Sequence, residues 1–197
     1  MSIAIMKINK KKPWHWVSLF LLGLGCMLSI LIRPFRSKRN VGIVLYGHQL
    51  SGNLLRLYQV MEADEVKNFE YVYFSMDDAY VRRLREQGFR AVSVFEAKSI
   101  RCLAEAHCIV SDHGLHFLEL LLYVTNIKFI DVWHGIPFKG FDSVDFRVQR
   151  KYDEVWVSSE YMKEMYTNKY LFEPEKVRVT GYGRVDIFKN ILTMNKH

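Results

Sequence analysis

The sequence predicts an α/β fold, a Rossmann-like doubly wound sheet of parallel strands preceded by one apolar helix. Three observations carry that expectation. Short apolar runs without alternation, such as Val41–Tyr46 and Glu154–Ser158, recur between residues 41 and 180, as strands covered on both faces do. Single stretches of helical spacing separate them, which implies β-α-β units with right-handed crossovers. Ahead of these units, the nineteen residues from Trp14 to Ile32 hold no Asp, Glu, Lys or Arg.

That apolar segment would rise roughly 28 Å as a helix, close to the ~30 Å hydrocarbon core of a bilayer. Trp14 and Trp16 suit an interfacial belt and Pro34 ends the run, so it reads as a transmembrane anchor over residues 14–33. The residues after it are Arg33-Pro34-Phe35-Arg36, which offer no small-x-small cleavage site for a signal peptidase. A helix lying in the interface would need a broader polar face than this segment has. A basic tail (1–13) precedes the anchor, a basic linker (34–40) follows it, and one domain fills 41–197.

Within the domain, Val41–Tyr46 is the first strand and Gly47–Gly52 a loop. Asn53–Val66 is helical through Leu54, Leu57, Tyr58 and Met61. Phe69–Phe74 is a strand, and Asp77 and Asp78 open a helix to Gln87 that Gly88 ends. Arg90–Phe95 is a strand, Ser99–Glu105 a short helix, His107–Ser111 a strand and Leu115–Val124 an apolar helix. Ile127–Trp133 is the fifth strand, followed by a loop and a polar turn at Val144–Lys151. Glu154–Ser158, Glu160–Tyr170 and Lys176–Thr180 read as strand, helix and strand, before a few helical residues after Gly181-Tyr182-Gly183-Arg184.

Charge excludes one class of partner. Residues 1–40 carry eight of the 28 Lys/Arg and none of the 21 Asp/Glu, so the remaining residues hold 20 basic against 21 acidic groups. The basic excess belongs to the segments flanking the apolar run, which points to anionic lipid rather than to nucleic acid. Cys26, Cys102 and Cys108 are odd in number and lack a C-x-x-C pair, which argues for a reducing, cytosolic setting.

Loops at the carboxyl ends of parallel strands are where open α/β sheets place ligands, and here they gather the reactive residues. Asp131-Val132-Trp133-His134-Gly135-Ile136-Pro137-Phe138-Lys139-Gly140 joins an imidazole, a flexible Gly, a rigid Pro and an ammonium group in one loop. His134 is a candidate general base and Lys139 a candidate phosphate ligand; the structural alternative has Trp133 and Phe138 in the core and His134 closing the strand. The first loop carries His48, Ser51, Gly52 and Asn53, without G-x-G-x-x-G or an acid after the second strand, so a dinucleotide site is not expected. Ser51 reads equally as a helix N-cap. Asp112 and His113 follow the fourth strand and form a candidate substrate-facing pair, beside His134 if their strands are neighbours. His107, Cys108, Asp112, His113 and His116 do not match a zinc spacing, and His107 and Cys108 point to opposite faces of a strand, so neither metal nor cofactor is expected. Arg184 offers a planar fork for phosphate with Asp186 to hold it, or the two form an intradomain pair.

Three separated pieces resemble the CDP-glycerol glycerophosphotransferases of teichoic acid synthesis: Trp133-His134-Gly135-Ile136-Pro137-Phe138-Lys139, Tyr152-Asp153-Glu154-Val155-Trp156-Val157-Ser158-Ser159-Glu160-Tyr161, and Gly181-Tyr182-Gly183-Arg184-Val185-Asp186. They match the family's W-H-G-x-P-x-K loop, its "yD.v.vsS" strand and its G-x-P-R-x-D ending, in that order, and Gly52-Asn53-Leu54 is similar to its "N-L" helix start. The resemblance implies the N-terminal domain of a GT-B architecture that moves glycerol phosphate from CDP-glycerol to a lipid-linked acceptor at the inner membrane, on its cytoplasmic side. It implies that His134 is the base and that Lys139 and Arg184 lie near phosphate with Asp186 orienting Arg184; Asn53, Asp112, His113 and Gly135 are the further candidate substrate contacts.

Two departures qualify it. Gly183 stands where the family has Pro, and the family's second Rossmann-like domain, with another essential His and a T-D-Y-S-S-like motif, follows the point where this chain reaches His197. The expectation is therefore a truncated or split transferase that requires a separate C-terminal domain. The alternatives are a non-catalytic module that recruits a lipid-linked glycan or a partner domain, and a GT-B glycosyltransferase using a sugar nucleotide.

Overall fold

The computed structural model describes residues 12–35, 41–64, 69–133, 135 and 140–186. The expectations for His134, Lys139, the basic tail 1–11 and linker residues 36–40 lie outside the described residues. Among these residues the helices are α1 (Pro13–Ile32), α2 (Gly52–Ala63), α3 (Asp78–Glu86), α4 (Ala97–Glu105), α5 (Glu119–Val124) and α6 (Glu160–Asn168). The strands are β1 (Val41–Tyr46), β2 (Phe69–Ser75), β3 (Ala91–Ser93), β4 (Ala106–Ser111), β5 (Lys128–Asp131), β6 (Glu154–Val157) and β7 (Val177–Val179).

All seven strands pair in parallel in the order β3-β2-β1-β4-β5-β6-β7. The chain winds outward from β1 to β3, then returns to β4 on the other side of β1. That reversal leaves a crevice between the carboxyl ends of β1 and β4, the place where doubly wound sheets hold ligands.

Period-two alternation sends neighbouring residues to opposite faces. Leu45 and Val110 pack with Leu54, Tyr58 and Met61 of α2 and Val81 and Leu84 of α3. Val44, Tyr46, Ile109 and Phe129 pack with Leu103 of α4, Leu121 of α5, and Leu22 and Cys26 of α1. Both faces of the central strands are covered, which explains why their sequences do not alternate with polar residues. A third cluster gathers Trp133, Phe146, Val155, Val157, Tyr166 and Tyr170 around the β6 end of the sheet.

Most differences from the sequence reading lie at element ends. β3 and β5 are shorter than their apolar runs, because pairing stops where the loops turn toward the crevice. The expected helix at Leu115–Val124 begins instead as a 3-10 turn, His116–Leu118, with His116 at φ 49°. α3 starts where Asp77 accepts a hydrogen bond from the Tyr80 N–H at 2.9 Å. Ser51 occupies the N-cap position of α2 in extended conformation but makes no capping bond through its side chain.

α1 begins with Pro13, whose missing N–H costs nothing at the first helical position. It is long and apolar enough to cross a membrane by length and composition. It also rests on the sheet face shared by α4 and α5, with Leu22 and Cys26 fully buried in that core.

Candidate functional site

The carboxyl ends of β1, β4 and β5 and the turn after β7 converge at the crevice. The register pairs Tyr46 with Ser111 and Ser111 with Asp131, so the β1, β4 and β5 loops leave the sheet side by side. The sequence expectation that the Asp112–His113 loop lies beside the Trp133-His134-Gly135 loop required β4 and β5 to be neighbours, and they are.

The β1 loop is shaped by a close approach. A Cβ added at Gly47 would stand 2.6 Å from Asp112 Oδ1 and 2.7 Å from Leu54 Cδ1, so any larger residue must push one of these side chains aside. The Tyr73 hydroxyl donates to the Gly47 carbonyl at 2.7 Å and fixes that turn from behind. Gly47→Ala should therefore displace Asp112 or Leu54 and lower stability by about 1–3 kcal/mol. Chemical denaturation would check this, and an unchanged midpoint would show that the crevice is looser than its contacts imply.

Asp112 is buried, and its Oδ1 accepts from His113 Nδ1 at 2.6 Å. Ser111 Oγ donates to the His113 carbonyl at 2.5 Å and accepts from the His113 N–H at 3.1 Å. The carboxylate puts the ring proton on Nδ1 and orients the imidazole, the standard device for presenting Nε2 to another group. Deeper in the same loop, the Tyr46 hydroxyl and His116 Nδ1 share a hydrogen bond of 2.9 Å. Burial lowers the His116 pKa, which favours its neutral form.

Asp131 ends β5 and is 1% exposed. Burial pushes its carboxyl up to about 7, and the hydrogen bond that it accepts from the Trp133 N–H at 2.8 Å only partly opposes this, while Asp112 adds to the rise. A carboxyl whose folded pKa is raised binds more protons folded than unfolded, so stability falls as pH climbs from about 4 toward 7. Asp131→Asn keeps an oxygen for the Trp133 N–H and removes the titration. The variant should show a flatter stability profile over that window, measured by urea melts at stepped pH; an unchanged slope would refute the assignment.

Asn53 connects the loops. Its Nδ2 donates to the Val132 carbonyl at 2.9 Å and the Trp133 carbonyl at 2.6 Å, and its Oδ1 accepts from the Arg184 N–H at 3.2 Å. The side chain is buried. The sequence reading placed Asn53 among the substrate contacts; in the structure its amide joins the start of α2, the β5 loop and the turn after β7. On the other side of His134, the Tyr182 hydroxyl donates to the Gly135 carbonyl at 2.8 Å. The peptide carbonyls of residues 133 and 135 are thus both held, with Trp133 in the left-handed region at φ 30°.

Arg184 sits with its guanidinium carbon 5.3 Å from the centre of the Tyr182 ring. The Asp186 carboxylate lies 3.8 Å from Arg56 Nε of α2, a partner that the sequence did not suggest. Arg56 also packs closely on Gly183, where a Cβ would stand 3.1 Å from Arg56 Cγ. The sequence reading thus anticipated Asp112, His113, Gly135, Arg184 and Asp186 at this edge and missed roles for Asp131, Tyr182, Arg56 and Tyr73. A lone acid ending an apolar run was the available signal for Asp131.

Comparison with known proteins supports the same fold. The chain resembles the wall teichoic acid polymerase TagF, at a TM-score of 0.62 and 16% identity over 89% of this chain and 46% of that one. A TagF variant soaked with CDPG gives 0.60 at 16% identity, over 85% and 44%. A glycosyltransferase from Rickettsia africae ESF-5 gives 0.52 at 14% identity, over 73% and 43%. This chain spans less than half the length of each, and the shared part is a Rossmann-like half of the GT-B kind. No curated protein matches it in sequence. The model of the CDP-glycerol:poly(glycerophosphate) glycerophosphotransferases matches residues 26–195, across both the W-H-G loop and the Gly181–Asp186 turn. The chain belongs to that family.

Proposed function

We propose that this chain is the acceptor-side half of a membrane-attached transferase that moves glycerol phosphate from CDP-glycerol to a hydroxyl of a lipid-linked acceptor. The observation that carries this reading is the convergence at the switch point. One buried amide, Asn53, ties the peptide next to His134 to the Arg184 turn, so a base and a phosphate-binding cation come from loops held together. In the reaction His134 takes the proton of the acceptor hydroxyl, and the oxygen attacks the phosphorus that bears glycerol. The bond to the other phosphate breaks and cytidine monophosphate leaves. Lys139 and Arg184 offset the charge that builds on the transferred phosphoryl group, since this chemistry depends on positioning and electrostatics more than on covalent catalysis. The Asp112–His113 pair and Gly135 line the acceptor side of the crevice. A second domain, on the same polypeptide or a separate one, supplies the remainder of the donor pocket.

The test is transfer of label from CDP-glycerol to a lipid-linked acceptor in membranes that carry this chain, with and without a second GT-B domain. Transfer that His134→Ala loses supports the reading. A folded, membrane-bound chain that transfers nothing in either setting overturns it in favour of a binding module.

A further inference from the structure

We propose that Arg56 of α2 is a positioning residue for Arg184. Its one side chain grips the turn after β7 on both flanks of Arg184, in the space that Gly183 leaves open. The proposal deepens the function proposed above and takes from it the phosphate-binding role of Arg184.

The turn comes to α2 from the far end of the sheet. β7 is the outer strand, beyond β5 and β6, yet the 3-10 turn that follows it, Gly183–Val185, packs on α2. The backbone of the turn contributes one bond, from the Val185 N–H to the Tyr182 carbonyl at 2.9 Å. α2 supplies further holds. Asn53 and Arg56 stand three residues apart on it and so share a face. Asn53 Oδ1 accepts from the Arg184 N–H at 3.2 Å, which fixes the main chain at that residue.

Arg56 acts on either side of it. A Cβ placed at Gly183 would stand 3.1 Å from Arg56 Cγ and 3.4 Å from Arg56 Cβ, so the apolar stem of the arginine lies against that glycine. At the other flank, Arg56 Nε is 3.8 Å from Asp186 Oδ2. Arg184 lies between these two contacts. Its own stem passes the start of α2, with Cδ 4.0 Å from where a Gly52 Cβ would stand, and its guanidinium carbon is 5.3 Å from the centre of the Tyr182 ring. A small rotation of residues 183–186 would swing the guanidinium off that course.

Stability does not account for Arg56. Its Nε is closed to water and has no hydrogen-bond partner among the described residues. A dry, unpaired donor weakens a fold, and a long ion pair between part-exposed groups returns little. A residue kept against such a cost points to function.

Gly183 is the other half of the device. It does not take a positive φ, unlike Gly181 at 76°, so its backbone does not call for glycine. Tyr182 before it is extended, at φ −105° and ψ 114°, and Gly183 is the first residue of the 3-10 turn. An extended predecessor and a first helical position are the conditions that proline meets. Proline is the family's residue here, and its ring would stiffen the turn from within. In this chain the Arg56 stem crowds the place of such a ring and supplies the rigidity from outside. Gly183→Pro should therefore repair Arg56→Ala.

The experiment uses the full chain. Deuterium exchange of the Arg184 amide is followed by NMR in the unaltered chain, in Arg56→Ala, and in Arg56→Ala with Gly183→Pro. Arg56→Ala should speed that exchange about tenfold without lowering the melting temperature, because alanine suits a helix and the unpaired donor is gone. Adding Gly183→Pro should return the exchange to within about threefold of the unaltered chain. Unchanged exchange in Arg56→Ala, a rise matched by a fall in melting temperature, or a rise that the proline does not reverse each overturns the proposal. Transfer from CDP-glycerol, with a second GT-B domain present, is the functional readout. Arg56→Ala should lose about 10–100-fold in kcat, and Gly183→Pro should recover most of it; full turnover in Arg56→Ala overturns the proposal. An unaltered chain that never transfers, but whose exchange follows the expected pattern, overturns the assigned reaction and leaves the hold on Arg184 standing.

Discussion

His134→Ala is expected to lower glycerol phosphate transfer by about 10²–10⁴-fold, the range that a positioned general base contributes, while the melting temperature stays unchanged. The separation of the two readouts follows from how the loop is built. The Trp133 carbonyl is held by Asn53 Nδ2 and the Gly135 carbonyl by the Tyr182 hydroxyl, so the flanking backbone is anchored by groups other than the imidazole. Affinity for CDP-glycerol should change little, because in the proposed reaction the residue acts on the acceptor proton. A base assignment also fixes the sign of the pH response. Wild-type turnover should fall as acid protonates the imidazole, and the residual turnover of the variant should lack that acidic limb. Undiminished turnover in the variant would sink the assignment, and the Asp112–His113 pair would become the next candidate to replace.

The strand and helix order was legible because each apolar run is long enough to pair and each intervening segment has helical spacing. The reactive loops were legible for the same reason, since a parallel sheet sends every strand-end loop to one edge. What joins those loops was not. Asn53 contacts Trp133 and Arg184 across 80 and 131 residues, and no local pattern marks an asparagine that bonds to main chain at such separations. Its position at a helix start reads as well for a cap or a ligand. Tyr182 was similarly hidden, because the partner of a tyrosine hydroxyl depends on tertiary placement. In the apolar segment, composition fits a spanning helix and the spacing of small residues marks a contact face. Ser18, Gly25, Cys26 and Ser29 recur at helical intervals opposite Trp16, Phe20 and Leu24, and a stripe of small residues marks a face that another element approaches closely. That pattern marks the face seated on the domain, which hydropathy alone does not reveal.

Asn53→Ala is the variant that tests the joined loops. It removes one acceptor and two donated bonds at a buried position and leaves the Val132 and Trp133 carbonyls and the Arg184 N–H without that partner. Groups stranded in this way cost about 2–4 kcal/mol together, because water reaches them poorly. The functional loss should exceed what stability explains. Once the clamp is gone, Trp133 is no longer held at φ 30°, and the peptide that carries the proposed base can drift from the acceptor. A misplacement of about 1 Å is enough to cost roughly 10²-fold in rate. The loss should appear in kcat with KM for CDP-glycerol nearly unchanged, since no donor contact is removed. Asn53→Asp discriminates further. It keeps an acceptor for the Arg184 N–H but replaces a donor with a carboxylate facing two carbonyl oxygens, so it should be no better than alanine despite its matching shape. If either variant loses stability yet turns over normally per folded molecule, Asn53 is only a packing residue and the two loops reach their catalytic geometry without it.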